Sequence, residues 1–227
     1  MADVYCFSGS GHSMRVASFF KERLNGTVIP IGKNTEQGAS ETAIVVFPIY
    51  CQNIPSPVAA FLKQLNAKYA ILVALYGGIS YGNVLYEAQS LYNGIVIAGA
   101  YVPSGHSYKN EPFVFDVNRL EPLLNKLSSR EKVDIPKTPK NIFSDLAPAL
   151  RSRIGVSLRR SEDCDGCDVC GKTCPVGAMK KGIADRSCIR CLRCVSVCPK
   201  NALSFKPILA MRIYLGLRRK NEFKLYI

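Results

Sequence analysis

The chain has 227 residues, 48% hydrophobic and 21% charged, a composition that excludes a largely disordered chain. No apolar run reaches the roughly 18 residues of a membrane-spanning helix, and Met1 leads into Val4-Tyr5-Cys6-Phe7 without a basic leader, so a cytoplasmic protein is expected. The net charge of +13 is lopsided: residues 1–150 hold 13 Lys and Arg against 11 Asp and Glu, whereas residues 151–227 hold 17 against 6.

Asp3-Val4-Tyr5-Cys6-Phe7 reads as a buried strand, with Cys6 in the core. It runs into Ser8-Gly9-Ser10-Gly11-His12-Ser13 and then a stretch with apolar residues 16, 17, 20 and 24 at helical spacing. A small-residue loop between a strand and a helix N-terminus presents free N–H groups and hydroxyls, which suits a phosphate dianion. Related loops do not fit. Met14 stands where the dinucleotide fingerprint needs a small residue, and the Gly-Lys-Ser/Thr of a Walker loop is absent. His12 stands where a low-molecular-weight tyrosine phosphatase would carry Arg, and no G-x-S-x-G elbow is formed.

Further strands are expected at 27–31, 43–50, 70–76 and 94–102, with helices near 56–66, 83–93 and 117–131. Only about a dozen residues separate the second and third strands, too few for a full crossover helix with its turns. Strand–helix alternation argues for a parallel sheet, with ligands outside the carboxyl ends of its strands. The loop and this alternation resemble the flavodoxin phosphate loop and fold. The resemblance implies FMN, its 5′-phosphate held by Ser8, Gly9, Ser10, Gly11, His12 and Ser13. Its ring would lie among Pro48, Tyr50, Cys51, Gln52, Asn53, Tyr76, Gly77, Gly78, Tyr81 and Gly82, with the segment 102–108 nearby. The chain has no Trp, so the stacking aromatic is sought among Tyr50, Tyr76, Tyr81 and Tyr108. His12 and His106 read as loop hydrogen-bonders and Cys51 as a structural thiol. No catalytic side chain is expected.

Residues 132–142, with Pro136 and Pro139, read as an extended crossing, followed by a basic linker helix over 143–160. The first unit is expected to end near residue 150 and the second to span 151–206. Within the second, Cys164, Cys167, Cys170 and Cys174 recur 24 residues later as Cys188, Cys191, Cys194 and Cys198, with Pro175 and Pro199 after the last of each set. Each half spells C-x2-C-x2-C-x3-C-P, the bacterial run for two cubane iron–sulfur clusters, in which the fourth cysteine ligates the other cluster. Cluster one is therefore assigned to Cys164, Cys167, Cys170 and Cys198, and cluster two to Cys188, Cys191, Cys194 and Cys174. A zinc ribbon needs only two C-x2-C pairs and disulfides are rare in cytosolic chains. This segment resembles the two-cluster ferredoxins from Cys164 to about Phe205, but it is basic where most of them are acidic. Lys172, Lys180, Lys181, Arg186, Arg190 and Arg193 form either a solvated face or a docking surface for an acidic redox partner.

The tail, 207–227, is apolar and then basic. It either lies on an anionic membrane, the less favoured reading, or packs across the first unit. Together, the N-terminal loop and the doubled cysteine run resemble the flavodoxin–ferredoxin fusion proteins of anaerobic bacteria and archaea. That resemblance implies an α/β fold, with a doubly wound parallel five-stranded sheet and a small α+β two-cluster ferredoxin domain. It also implies an electron relay between FMN and two 4Fe–4S clusters. The alternative is a flavin-dependent reductase of a small organic substrate fed by the clusters. No nucleic-acid recognition motif is present, and a protein redox partner is expected.

Overall fold

The structure, a computed structural model, describes residues 2–109, 111–217 and 221–227. The first unit is built from β1 (Ala2–Cys6), α1 (His12–Leu24), β2 (Val28–Pro30), β3 (Thr42–Pro48), α2 (Ser56–Gln64), β4 (Tyr69–Tyr76), α3 (Val84–Leu91), β5 (Ile95–Pro103) and α4 (Glu121–Ser129). Five strands pair in parallel in the order β2-β1-β3-β4-β5. This is the flavodoxin-like doubly wound arrangement.

The apolar strands are buried on both faces, as parallel sheets require, and alternate side chains feed two separate cores. Ile44 and Val46 of β3 join Val4, Cys6, Val16, Phe20 and Leu123 beneath α1 and α4. Val45 and Phe47 join Tyr5, Phe7, Val58, Leu62 and Leu85 beneath α2 and α3. Residues 31–41, between β2 and β3, contain no helix. The loop is pinned instead by Gly38 N–H donating to Tyr5 Oη and Ser40 N–H to Asp3 Oδ2.

Two features of the second half differ from the sequence expectation. The linker helix is confined to α5 (Pro148–Gly155), and residues 156–160 are strand β6 (Val156–Arg160) rather than helix. Val156 is buried and the residues after it lie nearer solvent, so the segment serves as an edge of a two-stranded ladder. The sheet also has six strands, not five. β10 (Lys224–Tyr226), from the tail, adds antiparallel to β5, pairing Leu225 with Ala100. The tail's packing onto the first unit is, by contrast, the favoured of the two expectations for it: Tyr76 Oη donates to the Glu222 carbonyl and Tyr81 Oη to its carboxylate. Together with Val133 N–H donating to the Val96 carbonyl and the buried Ile135, β10 covers an edge that would otherwise offer unpaired backbone groups.

The second unit adds α6 (Val169–Lys172), β7 (Met179–Lys180), β8 (Ile183–Ala184), α7 (Arg193–Ser196), β9 (Leu203–Pro207) and α8 (Leu209–Leu215). β6 pairs antiparallel with β9, and β7 with β8. Its small core holds Cys170, Met179, Cys194 and Leu203. No helix among the described residues is long and apolar enough to cross a membrane.

Candidate functional site

The 24-residue repeat folds as two copies of one device. In each, a cysteine loop leads into a one-turn helix, α6 or α7, that starts from a left-handed residue, Asp168 or Leu192. The loops border two hollows. Cys164, Cys167, Cys170 and Cys198 line an outer one of about 310 Å³ including its mouth, with Asp165, Asp168, Lys181 and Lys200 beside them. Cys174, Cys188, Cys191 and Cys194 line an inner one of about 290 Å³, with Leu158, Ile189 and Leu192. Each hollow thus gathers three cysteines of one repeat and the pre-proline cysteine of the other. Among the described residues no three His, Cys, Asp or Glu side chains close on a single metal ion; the thiols instead ring a space. All ten cysteines are free thiols. Backbone N–H groups already point at sulfur: Gly182 at Cys170 Sγ, 3.3 Å, and Ala178 at Cys174 Sγ, 3.2 Å. Such donors are what a thiolate-bound cluster uses.

A third, larger cavity opens outside the carboxyl ends of β3, β4 and β5. It measures about 1260 Å³ including its mouth, and its walls are Pro48, Tyr50, Cys51 and Gln52 after β3, Gly77 and Ser80 after β4, and Ser104, His106, Ser107 and Tyr108 after β5. The turn after β3 is tight. Tyr50 and Asn53 exchange backbone hydrogen bonds, and Cys51 and Gln52 take left-handed φ values of 53° and 63°. Strain of this kind collects at binding sites. The second unit and tail complete the cavity with Arg151, Ser152, Arg190, Cys191, Met211 and Tyr214. Sequence reasoning did not assign these residues to it, and only the contiguity of Arg190 and Cys191 with the cluster loop could have suggested any of them.

The residues named from sequence divide accordingly. Pro48, Tyr50, Cys51, Gln52 and Gly77 border the cavity. Asn53 turns away, its amide donating to the Cys51 and Ser144 carbonyls and its oxygen accepting from Lys140 Nζ. Tyr76 is buried, and Tyr81 stacks on Tyr101 with centroids 4.1 Å apart. Gly82, at φ 59°, accepts from Thr138; Gly78, also left-handed, lies outside the lining. Of the four candidate tyrosines, Tyr50 and Tyr108 therefore remain at the cavity. Burial pushes both phenols above their ordinary pKa, keeping them neutral. Tyr108 Oη donates to the Arg190 carbonyl at 3.0 Å.

Residues 8–13 adjoin the cavity through a hydroxyl contact, Ser10 Oγ to Ser107 Oγ at 2.8 Å. Gly11 precedes α1 at φ 97°, without a side-chain cap, so the first-turn N–H groups have no capping acceptor. Ser13 is buried. His12 sits against Phe113, and burial lowers its pKa while the carbonyls of Gly105 and Glu111 oppose the shift. Ser8 is only 6% exposed, and its Oγ has no partner; the other buried polar side-chain atoms without partners among the described residues are Arg190 Nη1 and Arg193 Nε. These three lie where the two units meet. Lys172, Lys180, Lys181 and Arg186 are exposed, but Arg190 and Arg193 are turned into this junction.

The comparisons with known proteins bear on each half separately. A family model described as a 4Fe-4S binding domain matches residues 184–204, which include Cys188, Cys191, Cys194 and Cys198. Two solved structures, of candidate flavoproteins from Bacteroides uniformis ATCC 8492 and Bacteroides eggerthii DSM 20697, each share 16% identity with this chain. They cover 55% and 56% of it and 97% of their own chains, with TM-scores of 0.42 and 0.41. No curated protein matches.

Proposed function

We propose that the chain is an electron relay of the flavodoxin–ferredoxin fusion type, joining FMN in the large cavity to two 4Fe–4S clusters in the cysteine hollows and exchanging electrons with an acidic protein partner. One observation carries the reading: Cys191 borders both the inner hollow and the large cavity. The inner cluster is then the one next to the flavin, and the outer cluster faces the partner.

When bound, the flavin supplies a two-electron carrier and each cluster a one-electron carrier. The chain's own residues hold them in series. The thiols of Cys164, Cys167, Cys170 and Cys198 hold the outer cluster, and those of Cys174, Cys188, Cys191 and Cys194 the inner one. Leu158, Ile189 and Leu192 exclude water from the inner site. The unpartnered Ser8 hydroxyl and the uncapped start of α1 fit a phosphate. Tyr50 and Tyr108, held neutral, offer flat surface between β3 and the cluster loop without taking up protons. The guanidinium groups of Arg190 and Arg193 offset the negative charge of a thiolate-ligated cluster in a region of low dielectric.

The test is anaerobic purification followed by counting released flavin and iron. One FMN and about eight irons per chain are expected. Eight irons with no flavin, even after FMN is added, would overturn the flavin half of the relay; about four irons would overturn the pair of clusters.

A further inference from the structure

The helix that carries the inner cluster's ligands also grips the loop assigned to the flavin phosphate. Arg193 Nη1 donates to the Ser8 carbonyl at 3.3 Å, and Ser196 Oγ shares its one proton between the Gly9 carbonyl at 3.1 Å and the Arg193 carbonyl at 3.0 Å. Gly9 lies so close to the cluster loop that a Cβ there would fall 2.9 Å from the Cys191 carbonyl carbon and 2.8 Å from Tyr50 Oη. Arg193 and Ser196 flank Cys194, and Arg193 is two residues from Cys191.

A trans peptide points its N–H opposite to its carbonyl. Fixing the carbonyls of Ser8 and Gly9 against α7 therefore aims the N–H groups of Gly9 and Ser10 away from α7, toward the side on which Ser10 meets Ser107. Each accepted hydrogen bond also polarises its peptide and strengthens the N–H on the other end. The second observation at this loop is the Ser8 hydroxyl, more than nine-tenths buried and without a partner, beside an unpartnered Arg193 Nε. A buried, unpartnered hydroxyl on a loop whose N–H groups are oriented together asks for an anion.

From this geometry we infer that Arg193, with Ser196, is a positioning residue for the phosphate of the flavin nucleotide, so that the ferredoxin-like unit sets how tightly the flavodoxin-like unit holds FMN. The inference rests on the flavin reading above and deepens it. The cluster-binding segment braces the loop from its carbonyl side, opposite the N–H groups that would face the phosphate. The coupling is reciprocal by thermodynamic necessity: FMN on the loop steadies α7 and the inner cluster's ligands.

The experiment measures FMN and riboflavin binding, by quenching of flavin fluorescence, to flavin-free chain with both clusters assembled anaerobically. Riboflavin lacks the phosphate and serves as the internal control. Arg193→Met should weaken FMN about 10-fold, the low end for a charge-assisted hydrogen bond, and leave riboflavin within about 2-fold at unchanged iron content. Ser196→Ala should do the same to a smaller extent, and Arg193→Lys should recover part of the loss. Equal weakening of FMN and riboflavin would mean general loosening of the junction and would overturn the inference, as would unchanged FMN binding in both variants. A parent chain that binds neither flavin removes the flavin reading itself, a result distinct from either of those.

Discussion

Gly9 lies against the second unit with no room for a Cβ, and Gly9→Ala measures how much that contact matters. Its backbone is not left-handed, so the substitution adds no conformational strain; the cost comes from the space alone. The new methyl would sit inside the van der Waals envelope of the Cys191 carbonyl, 2.9 Å from its carbon and 2.8 Å from Tyr50 Oη. Tyr50 can swing, but the Cys191 carbonyl belongs to a loop fixed at Cys188, Cys191 and Cys194. Forced overpacking of this kind costs about 1–3 kcal/mol, and a backbone obstacle places Gly9→Ala near the upper end. At roughly 2–4 °C per kcal/mol for a chain of this length, the midpoint should fall by about 6–12 °C. Gly11→Ala is the comparison. Gly11 has φ 97° and nothing within 4 Å of a Cβ, so that variant meets strain without contact and should lose only about 1–2 kcal/mol. Thermal unfolding by circular dichroism on the cluster-loaded chain reads both. A Gly9→Ala midpoint equal to the parent's, or above that of Gly11→Ala, would refute the close approach of the two units.

Cys174→Ser should remove the cavity-side cluster and leave the outer one, taking iron content from about eight to about four and abolishing flavin reduction from outside; selective loss of the cluster on Cys164, Cys167 and Cys170 would refute the crossed ligation. His12 makes stability pH-dependent. Burial disfavours its imidazolium and lowers its pKa below 6.5, so the folded chain binds fewer protons than the unfolded chain. Stability should be full above about pH 6.5 and decline as pH falls toward the folded value. His12→Asn should flatten this decline between pH 7.5 and 5.5 in urea titrations, and an identical decline in parent and variant would show that the group does not contribute.

What sequence could reveal here tracks the range of each interaction. The cysteine spacing is local, so the two groups of four cysteines that line the hollows were legible from the repeat. The apolar runs of β1, β3, β4 and β5 and the small-residue loop 8–13 were equally plain, because burial on both faces leaves a continuous signature. The tail was not legible. β10 pairs Leu225 with Ala100, residues far apart in the chain, and its three residues carry too little pattern to declare a strand. Residues 156–160 were mistaken for helix because their arginines suggested a basic face; the pairing of Leu158 with Phe205 in β9 decides otherwise. Tyr76 and Tyr81 were drawn toward the flavin by their place after β4, yet tail residue Glu222 occupies both hydroxyls. Arg190 and Arg193 looked like part of an exposed basic face, and only the docking of the two units turns them inward.

That inward turn bears on where a partner of the proposed relay would dock. With Arg190 and Arg193 committed to the junction, the exposed cations near the cysteine loops are Lys172, Lys180, Lys181, Arg186 and Lys200, interspersed with exposed Glu162, Asp163, Asp165 and Asp185; Lys181 and Lys200 border the outer hollow together with Asp165 and Asp168. Cys167, of the outer set, is itself exposed, whereas Cys188 and Cys194 of the inner set are buried. On the proposed relay, Lys181 and Lys200 would be the cations that meet an acidic partner at the outer, more exposed cysteine set. Steering acts mainly on the encounter rate and weakens with ionic strength, because the Debye length shrinks from roughly 30 Å at 0.01 M salt to about 10 Å at 0.1 M. Lys181→Glu combined with Lys200→Glu should slow reduction of the clusters by an acidic two-cluster ferredoxin at least about 10-fold at low salt, with little effect on iron content. The gap between parent and variant should narrow as salt rises. A stopped-flow salt series tests this. If the double variant is as fast as the parent at low salt, or if Lys172→Glu slows the reaction more than the pair does, electrons do not enter beside the outer hollow.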